Sequence, residues 1–196
     1  MTKNRVLVIA SGNQGKILEF QGLLNGLPLL VEPQPKGLDV EETGSTFAAN
    51  ARIKALAVAQ ATGHWALADD SGLSVSTLNG APGVHSARYA PTDSERIEKL
   101  LAALLHCDER SAYFSAALCI AAPDGEVLLE VEGRCEGQIT KAPRGDQGFG
   151  YDPIFEVNNT GRTFAEMALS EKKSYGHRGR AFTLLEPLLK NLISTD

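Results

Sequence analysis

The chain has 196 residues, 43% of them hydrophobic and 22% charged, a balance that suits one soluble globular domain with its own core and argues against disorder. Nineteen basic residues against 24 acidic ones leave a formal charge of −5, so no basic field stands ready for a nucleic-acid backbone, and a small anion needs a locally positive pocket. The three cysteines, Cys107, Cys119 and Cys135, have no metal-ligand spacing, which speaks against a disulfide framework or zinc site and fits a reducing cytoplasm.

Met1 to Arg5 leads into Val6–Ala10, an apolar run that reads as a buried strand and is too short for a signal-peptide core. No stretch approaches the roughly 20 apolar residues of a membrane span. Ser11-Gly12-Asn13-Gln14-Gly15 is then a polar turn before a helix from Lys16 to about Leu24. A strand, a glycine-containing turn and a helix start form an anion-binding geometry: the backbone can approach a phosphate, the first helical N–H groups are free, and Lys16 adds a positive charge. The run is not a Walker A loop, because Ala10 and Ile17 stand where that motif needs its glycine and its Ser or Thr. An ordinary strand-to-helix turn is the alternative.

Residues 28–35 read as an irregular edge segment, and Glu41-Glu42-Thr43-Gly44 as a turn before Ser45, the expected N-cap of a helix to about Ala61. Phe47, Asn50, Ala51, Lys54 and Val58 share a stripe of that helix, which aims the Lys54 ammonium across a buried face toward the same acidic turn. Trp65–Ala68 is a strand expected to end at Asp69-Asp70-Ser71-Gly72, with a further strand over Leu73–Leu78. Paired carboxylates in such loops are hard oxygen ligands for Mg²⁺ that leave room for water and phosphate. Neighbours on an extended chain point opposite ways, so one member of each pair faces the metal, and the sequence does not choose which. Solvated acidic turns and a solvated lysine are the competing readings.

After the break at Asn79–Gly83, a helix begins near Thr92 with Ile97, Leu100, Leu101, Leu104 and Leu105 in register, followed by a hairpin of strands 112–122 and 126–135 around Pro123-Asp124-Gly125. A glycine-rich loop, 145–150, carries Phe149 and leads to Tyr151 and Asp152; beyond it come Lys172-Lys173 and His177-Arg178, then a helix over about 181–193 in which Pro187 should make a kink or start a new turn. Aromatic rings beside cationic donors suit a purine, by stacking and by hydrogen bonds to its edge. The alternative places Phe149 in the core and the lysines on a solvated face. Helices and strands mixed with hairpins predict an α/β fold with a mixed central sheet and flanking helices, as a single domain over 1–196.

These segments, in this order, resemble the inosine triphosphate pyrophosphatase family, which cleaves non-standard purine nucleoside triphosphates. The likeness rests on Ser11–Lys16, on Glu41–Gly44 with Thr46-Phe47 and Asn50–Ala55, on Ala68–Leu73, on Gly80–Gly83 with Ser86–Tyr89, on Gly148–Phe155, and on Glu171-Lys172 with His177–Gly179. It implies hydrolysis of inosine, deoxyinosine and xanthosine triphosphates to monophosphate and pyrophosphate, which cleanses the nucleotide pool. It further implies that Ser11, Gly12, Asn13, Gln14, Gly15 and Lys16 cradle substrate, that Glu41 and Asp70 hold Mg²⁺, and that Asp70 accepts the proton of the attacking water. Ser71 would touch substrate and Lys54 would meet phosphate. Phe149, Gly150, Tyr151 and Asp152 would line the base pocket, with Lys172, His177 and Arg178 on the purine edge. An elongated two-lobed shape with a cleft between lobes, and a homodimer, are implied by the family alone. Tyr175-Gly176 before His177, and Lys173 beside Lys172, depart from the family pattern and leave the exact lysine contact open. Two rival classes are a nucleotide sensor without chemistry, which needs Ser11–Lys16 but none of Glu41, Lys54 and Asp70, and a nucleic-acid-binding protein, which the acidic balance disfavours.

Overall fold

The computed structural model describes residues 5–195; Met1–Asn4, the start of the stretch tested against a signal peptide, lie outside the described residues. Six strands hydrogen-bond in the order β2-β1-β3-β4-β5-β6: β1 Arg5–Ala10, β2 Leu29–Pro33, β3 Trp65–Val75, β4 Ser111–Ala121, β5 Val127–Ile139 and β6 Phe155–Val157. β1 is parallel to both β2 and β3, whereas β6 is antiparallel to β5, so the sheet is mixed as expected. Five helices accompany it among the described residues: α1 Gln14–Leu24, α2 Phe47–Thr62, α3 Asp93–Ala103, α4 Leu169–Tyr175 and α5 His177–Thr195.

The chain divides into two compact units that interleave in sequence: one holds residues up to Asp70, 116–133 and 181 onward, the other 71–115 and 134–180. In the first unit the period-2 alternation of the strands sends side chains to two cores. Leu7 and Ile9 of β1, Trp65 and Leu67 of β3, and Leu118 and Ile120 of β4 pack with Ile17 and Phe20 of α1 and Phe182, Leu185 and Leu189 of α5. The alternate residues, Val8, Ala10, Ala66, Ala68, Ala117 and Ala121, meet Ala51, Ala55, Val58 and Ala59 of α2. Alanines on both sides let α2 lie close to the strands, which brings its polar neighbours Asn50 and Lys54 within reach of Asp69 and Asp70 on β3. α2 is bounded by Thr46, whose hydroxyl accepts from the Ala49 N–H, and by Gly63 at φ 70°.

The second unit has its own core. Leu73 and Val75 of β3, Ile97, Leu100 and Leu104 of α3, Phe114, Ile139, Phe155, Phe164 and Met167 are buried together. Thr92 and Glu95 form a reciprocal capping box that starts α3.

Several sequence expectations are corrected. Residues 29–33 form a parallel edge strand on β1 rather than an irregular segment, because pairing along β1 satisfies the backbone of Leu29–Pro33 that periodicity left unassigned. β3 runs unbroken through Asp69-Asp70-Ser71-Gly72, since a strand with partners available tolerates polar residues that in isolation read as a turn. Leu78 lies in a short 3₁₀ turn, 76–78, instead of a strand. The cap of α2 is Thr46, not Ser45, and α5 begins at His177 and continues through Pro187 as one element. No helix among the described residues is long and apolar enough to cross a membrane.

Candidate active site

Asp69 and Asp70 stand on β3 rather than in a loop, and the pleat sends them to different partners. Asp69 is buried and lies 2.7 Å from Nζ of Lys16, near the start of α1. Asp70, also buried, accepts at Oδ2 from Nδ2 of Asn50 at 3.0 Å and meets Nζ of Lys54 with Oδ1 at 3.4 Å. Both helices therefore deliver one cation each to the same stretch of strand.

Lys54 is held on three sides. Its ammonium donates to Oε1 of Glu42 at 2.6 Å, to the Asp69 carbonyl at 2.8 Å and to Asp70. Of the acidic pair in the preceding loop, it is thus Glu42 that the structure brings to Lys54, while Glu41 is exposed. The alternation of an extended loop explains the choice: residue 42 turns inward and residue 41 outward. Asn50 is the residue sequence reasoning undervalued. Fully buried, it accepts from the Gly44 N–H at 2.7 Å while donating to Asp70, and so ties the acidic loop to β3. A Cβ at Gly44 would come within 2.7 Å of both Ala49 Cβ and Asn50 Oδ1, so only glycine lets the loop approach this closely. The signal available in the sequence was a polar side chain on the buried stripe of α2, which needs a partner.

Burial raises the Asp70 carboxyl above the usual aspartate range; Lys54 pulls it back down and Glu42 pushes it further up. A cation added beside Asp70 would relieve that penalty. Glu42 and Asp70 are hard oxygen donors that share one lysine, and among the described residues no three acidic, histidine or cysteine groups gather into a self-sufficient metal site. That donor set fits a Mg²⁺ held by one or two carboxylates and completed by water and phosphate.

The turn before α1 is exposed at Gly12, Asn13 and Gln14. Its N–H groups are partly occupied, contrary to expectation: Asn13 caps the helix, with Oδ1 accepting from the Gly15 N–H at 2.9 Å and the Lys16 N–H at 3.2 Å. The Ser11 hydroxyl accepts from the Asn13 N–H at 3.1 Å. Asparagine at this position supplies the acceptor that an incoming phosphate oxygen would otherwise supply.

In the second unit the residues expected for a base pocket form a cluster of their own. Asp152 is buried and accepts at one oxygen both from Nζ of Lys172, at 2.7 Å, and from the Phe149 N–H, at 2.9 Å. Nζ of Lys172 lies 4.8 Å from the centre of the Phe149 ring, and the Arg178 guanidinium carbon 5.4 Å from it. Arg178 also donates to the Ser71 hydroxyl at 2.7 Å. A half-buried aromatic ring and two cationic hydrogen-bond donors thus stand side by side. Lys172, the buried member of the Lys172-Lys173 pair, makes these contacts; Lys173 is exposed.

Two residues are placed differently from a simple pocket lining. Tyr151 sits in the core, its hydroxyl donating to the Ser86 carbonyl at 2.8 Å, so its backbone alone is left to face a ligand. His177 is buried and stacks on Phe114 at 4.7 Å, near Phe164, as the first residue of α5. Asp152, which the family resemblance placed in the base pocket, ties Lys172 to the Phe149 backbone.

The model of the Ham1 family matches residues 7–188. The chain belongs to the Ham1 family. Among relatives of this Ham1-family chain, the dITP/XTP pyrophosphatase of Parasynechococcus marenigrum is 74% identical over 98% of each chain, and that of Synechocystis is 53% identical over 91% of this chain and 92% of the relative. Solved Ham1 structures share the fold: the Coxiella burnetii protein superposes with a TM-score of 0.85 at 45% identity, covering 95% of this chain and 99% of the other. The Staphylococcus aureus Ham1 protein gives 0.85 at 40% identity with the same coverage.

Proposed function

We propose that this Ham1-family chain is a Mg²⁺-dependent nucleoside triphosphate pyrophosphatase that hydrolyses deaminated purine nucleoside triphosphates, deoxyinosine and xanthosine triphosphates among them, to monophosphate and pyrophosphate. The observation that carries the chemical part is the cluster of Asp70, Glu42, Lys54 and Asn50, with Lys16 paired to Asp69 alongside. The relatives named dITP/XTP pyrophosphatase support the substrate class.

The residues divide the work. Two ammoniums, Lys16 and Lys54, stand against the three carboxylates of Glu42, Asp69 and Asp70, which leaves a small net negative charge. That balance calls for a divalent cation to accompany a polyanion, and Glu42 and Asp70 would hold it. When bound, Mg²⁺ would neutralise phosphate charge and increase the acidity of coordinated water. Asp70 orients a water for attack on the α-phosphorus and takes its proton. The new P–O bond forms there as the bridging bond to the β-phosphate breaks, and pyrophosphate leaves. Lys54, locked by Glu42 and the Asp69 carbonyl, stays aimed as negative charge develops, so no reorganisation is needed at the moment of reaction. Lys16 offsets charge on the departing pyrophosphate.

For the base, Phe149 offers a face, while Lys172 and Arg178 offer donors. A 6-oxo purine presents an acceptor to such donors, whereas adenine presents an amine that would be left unpaired. Family membership also favours a homodimer, and three free cysteines favour a cytoplasmic setting. The test is a panel of inosine, xanthosine, adenosine and guanosine triphosphates with and without a chelator. Turnover of the first two that is lost on chelation supports the reading. Equal turnover of all four would reject the base preference, and turnover indifferent to chelation would reject the metal.

A further inference from the structure

The loop carrying Phe149 has little packing to hold it on one side. An open groove of about 490 Å³ runs between it and α3, lined by Ile97 and Leu101 on the helix and by Gly148, Phe149 and Gly150 on the loop. Hydrogen bonds take the place of packing. The Phe149 N–H donates to Asp152, and the next N–H, that of Gly150, donates to Oδ2 of Asp93 at 2.8 Å, 57 positions away in sequence. The peptide N–H groups on either side of the Phe149 Cα are thus each tied to a carboxylate. Gly148 at φ +81° and Gly150 at φ +61° allow the two turns this needs, and a Cβ on Gly148 would strike the Asp152 carboxylate.

Asp93 is itself fixed. Its other oxygen accepts from Nη1 of Arg96 at 2.6 Å, and Nε of Arg96 donates to the Ala90 carbonyl at 2.9 Å. As the first residue of α3 it sits beside the Thr92–Glu95 capping box, so the acceptor has a fixed direction. We infer that Asp93 is a positioning residue for base recognition: through Gly150 it fixes the plane in which the Phe149 ring is offered to the purine. This rests on the reading of Phe149 as the stacking surface.

The experiment compares Asp93→Ala, Asp93→Asn and Phe149→Ala by KM and kcat for inosine triphosphate, and by inhibition with inorganic triphosphate. Loss of a hydrogen bond to a charged acceptor predicts a KM raised about tenfold in Asp93→Ala, with kcat held within about twofold. Asp93→Asn, which retains an acceptor oxygen, restores most of the KM. Inorganic triphosphate, which has no base, inhibits all three as it does the parent. Should Asp93→Ala fail to fold, Arg96→Gln, which releases the far oxygen of Asp93, shows the same KM effect at smaller size. An unchanged KM in the Asp93 and Arg96 variants while Phe149→Ala raises it overturns the role of Asp93. Weaker inhibition by inorganic triphosphate, or no rescue by asparagine, does the same. An unchanged KM in Phe149→Ala sinks the stacking reading itself, and the inference with it.

Discussion

The proposed hydrolysis converges on Asp70. This side chain is buried, it is raised above the ordinary aspartate range chiefly by that burial, and it is oriented by Asn50 and Lys54. Asp70→Asn preserves the shape and the Lys54 contact but removes the base, so kcat falls by about 10²–10⁴ while KM changes little, as read in steady-state kinetics at saturating Mg²⁺. The two glutamates separate by placement. Glu42→Gln raises the Mg²⁺ concentration needed for half-maximal rate, whereas Glu41→Gln leaves it unchanged; a magnesium titration of both variants decides. Residue types and spacing could name both members of each acidic pair but not rank them, because the ranking depends on which way an extended backbone faces at one residue; the family resemblance alone singled out Glu41 and Asp70. The sequence did place Lys54 correctly, since helical periodicity fixes direction once the neighbouring apolar positions are known.

At the scale of elements, Asn50 links α2 to β3 and to the loop before α2 through two hydrogen bonds. Asn50→Leu strands the Gly44 N–H and leaves the Asp70 carboxylate without its amide donor, so it destabilises the fold by about 1–3 kcal/mol. Chemical denaturation measures that loss, and activity falls further than stability accounts for. The strands β4 and β5 hide two thiols. Burial pushes Cys119 up to about 12 and Cys135 up to about 11, so neither forms a thiolate near neutrality. Alkylation of the native protein near pH 8 therefore labels half-buried Cys107 first, with Cys119 and Cys135 marked only on unfolding, as peptide mass spectrometry would show. Element boundaries were less legible than element types. β6 and α4 drew no expectation, because three residues of strand and seven of helix are too short for periodicity to register. The passage of β3 through Asp69-Asp70-Ser71-Gly72 was hidden because its strand character comes from partners distant in sequence.

On the scale of the whole molecule, the fold class followed from alternating strands and helices with a hairpin among them, and the mixed sheet carries it. Composition and periodicity did not mark where one interleaved unit gives way to the other, because β3, β4 and β5 each pass between them without a break in composition; a two-lobed shape was implied by the family resemblance alone. The two side-chain clusters fall in different units. The first unit holds the lysine and carboxylate cluster, and the second holds Phe149, Asp152, Lys172 and Arg178. Variants of the first set accordingly change the rate and the metal requirement, and variants of the second change the preference among bases.

The most direct measurement is the identity of the products released from deoxyinosine triphosphate by purified protein with Mg²⁺, with pyrophosphate and orthophosphate assayed separately. Attack at the α-phosphorus predicts one pyrophosphate for each deoxyinosine monophosphate and no diphosphate. Orthophosphate with deoxyinosine diphosphate would place the cut at the terminal phosphate and contradict the proposed roles of Asp70 and the two lysines.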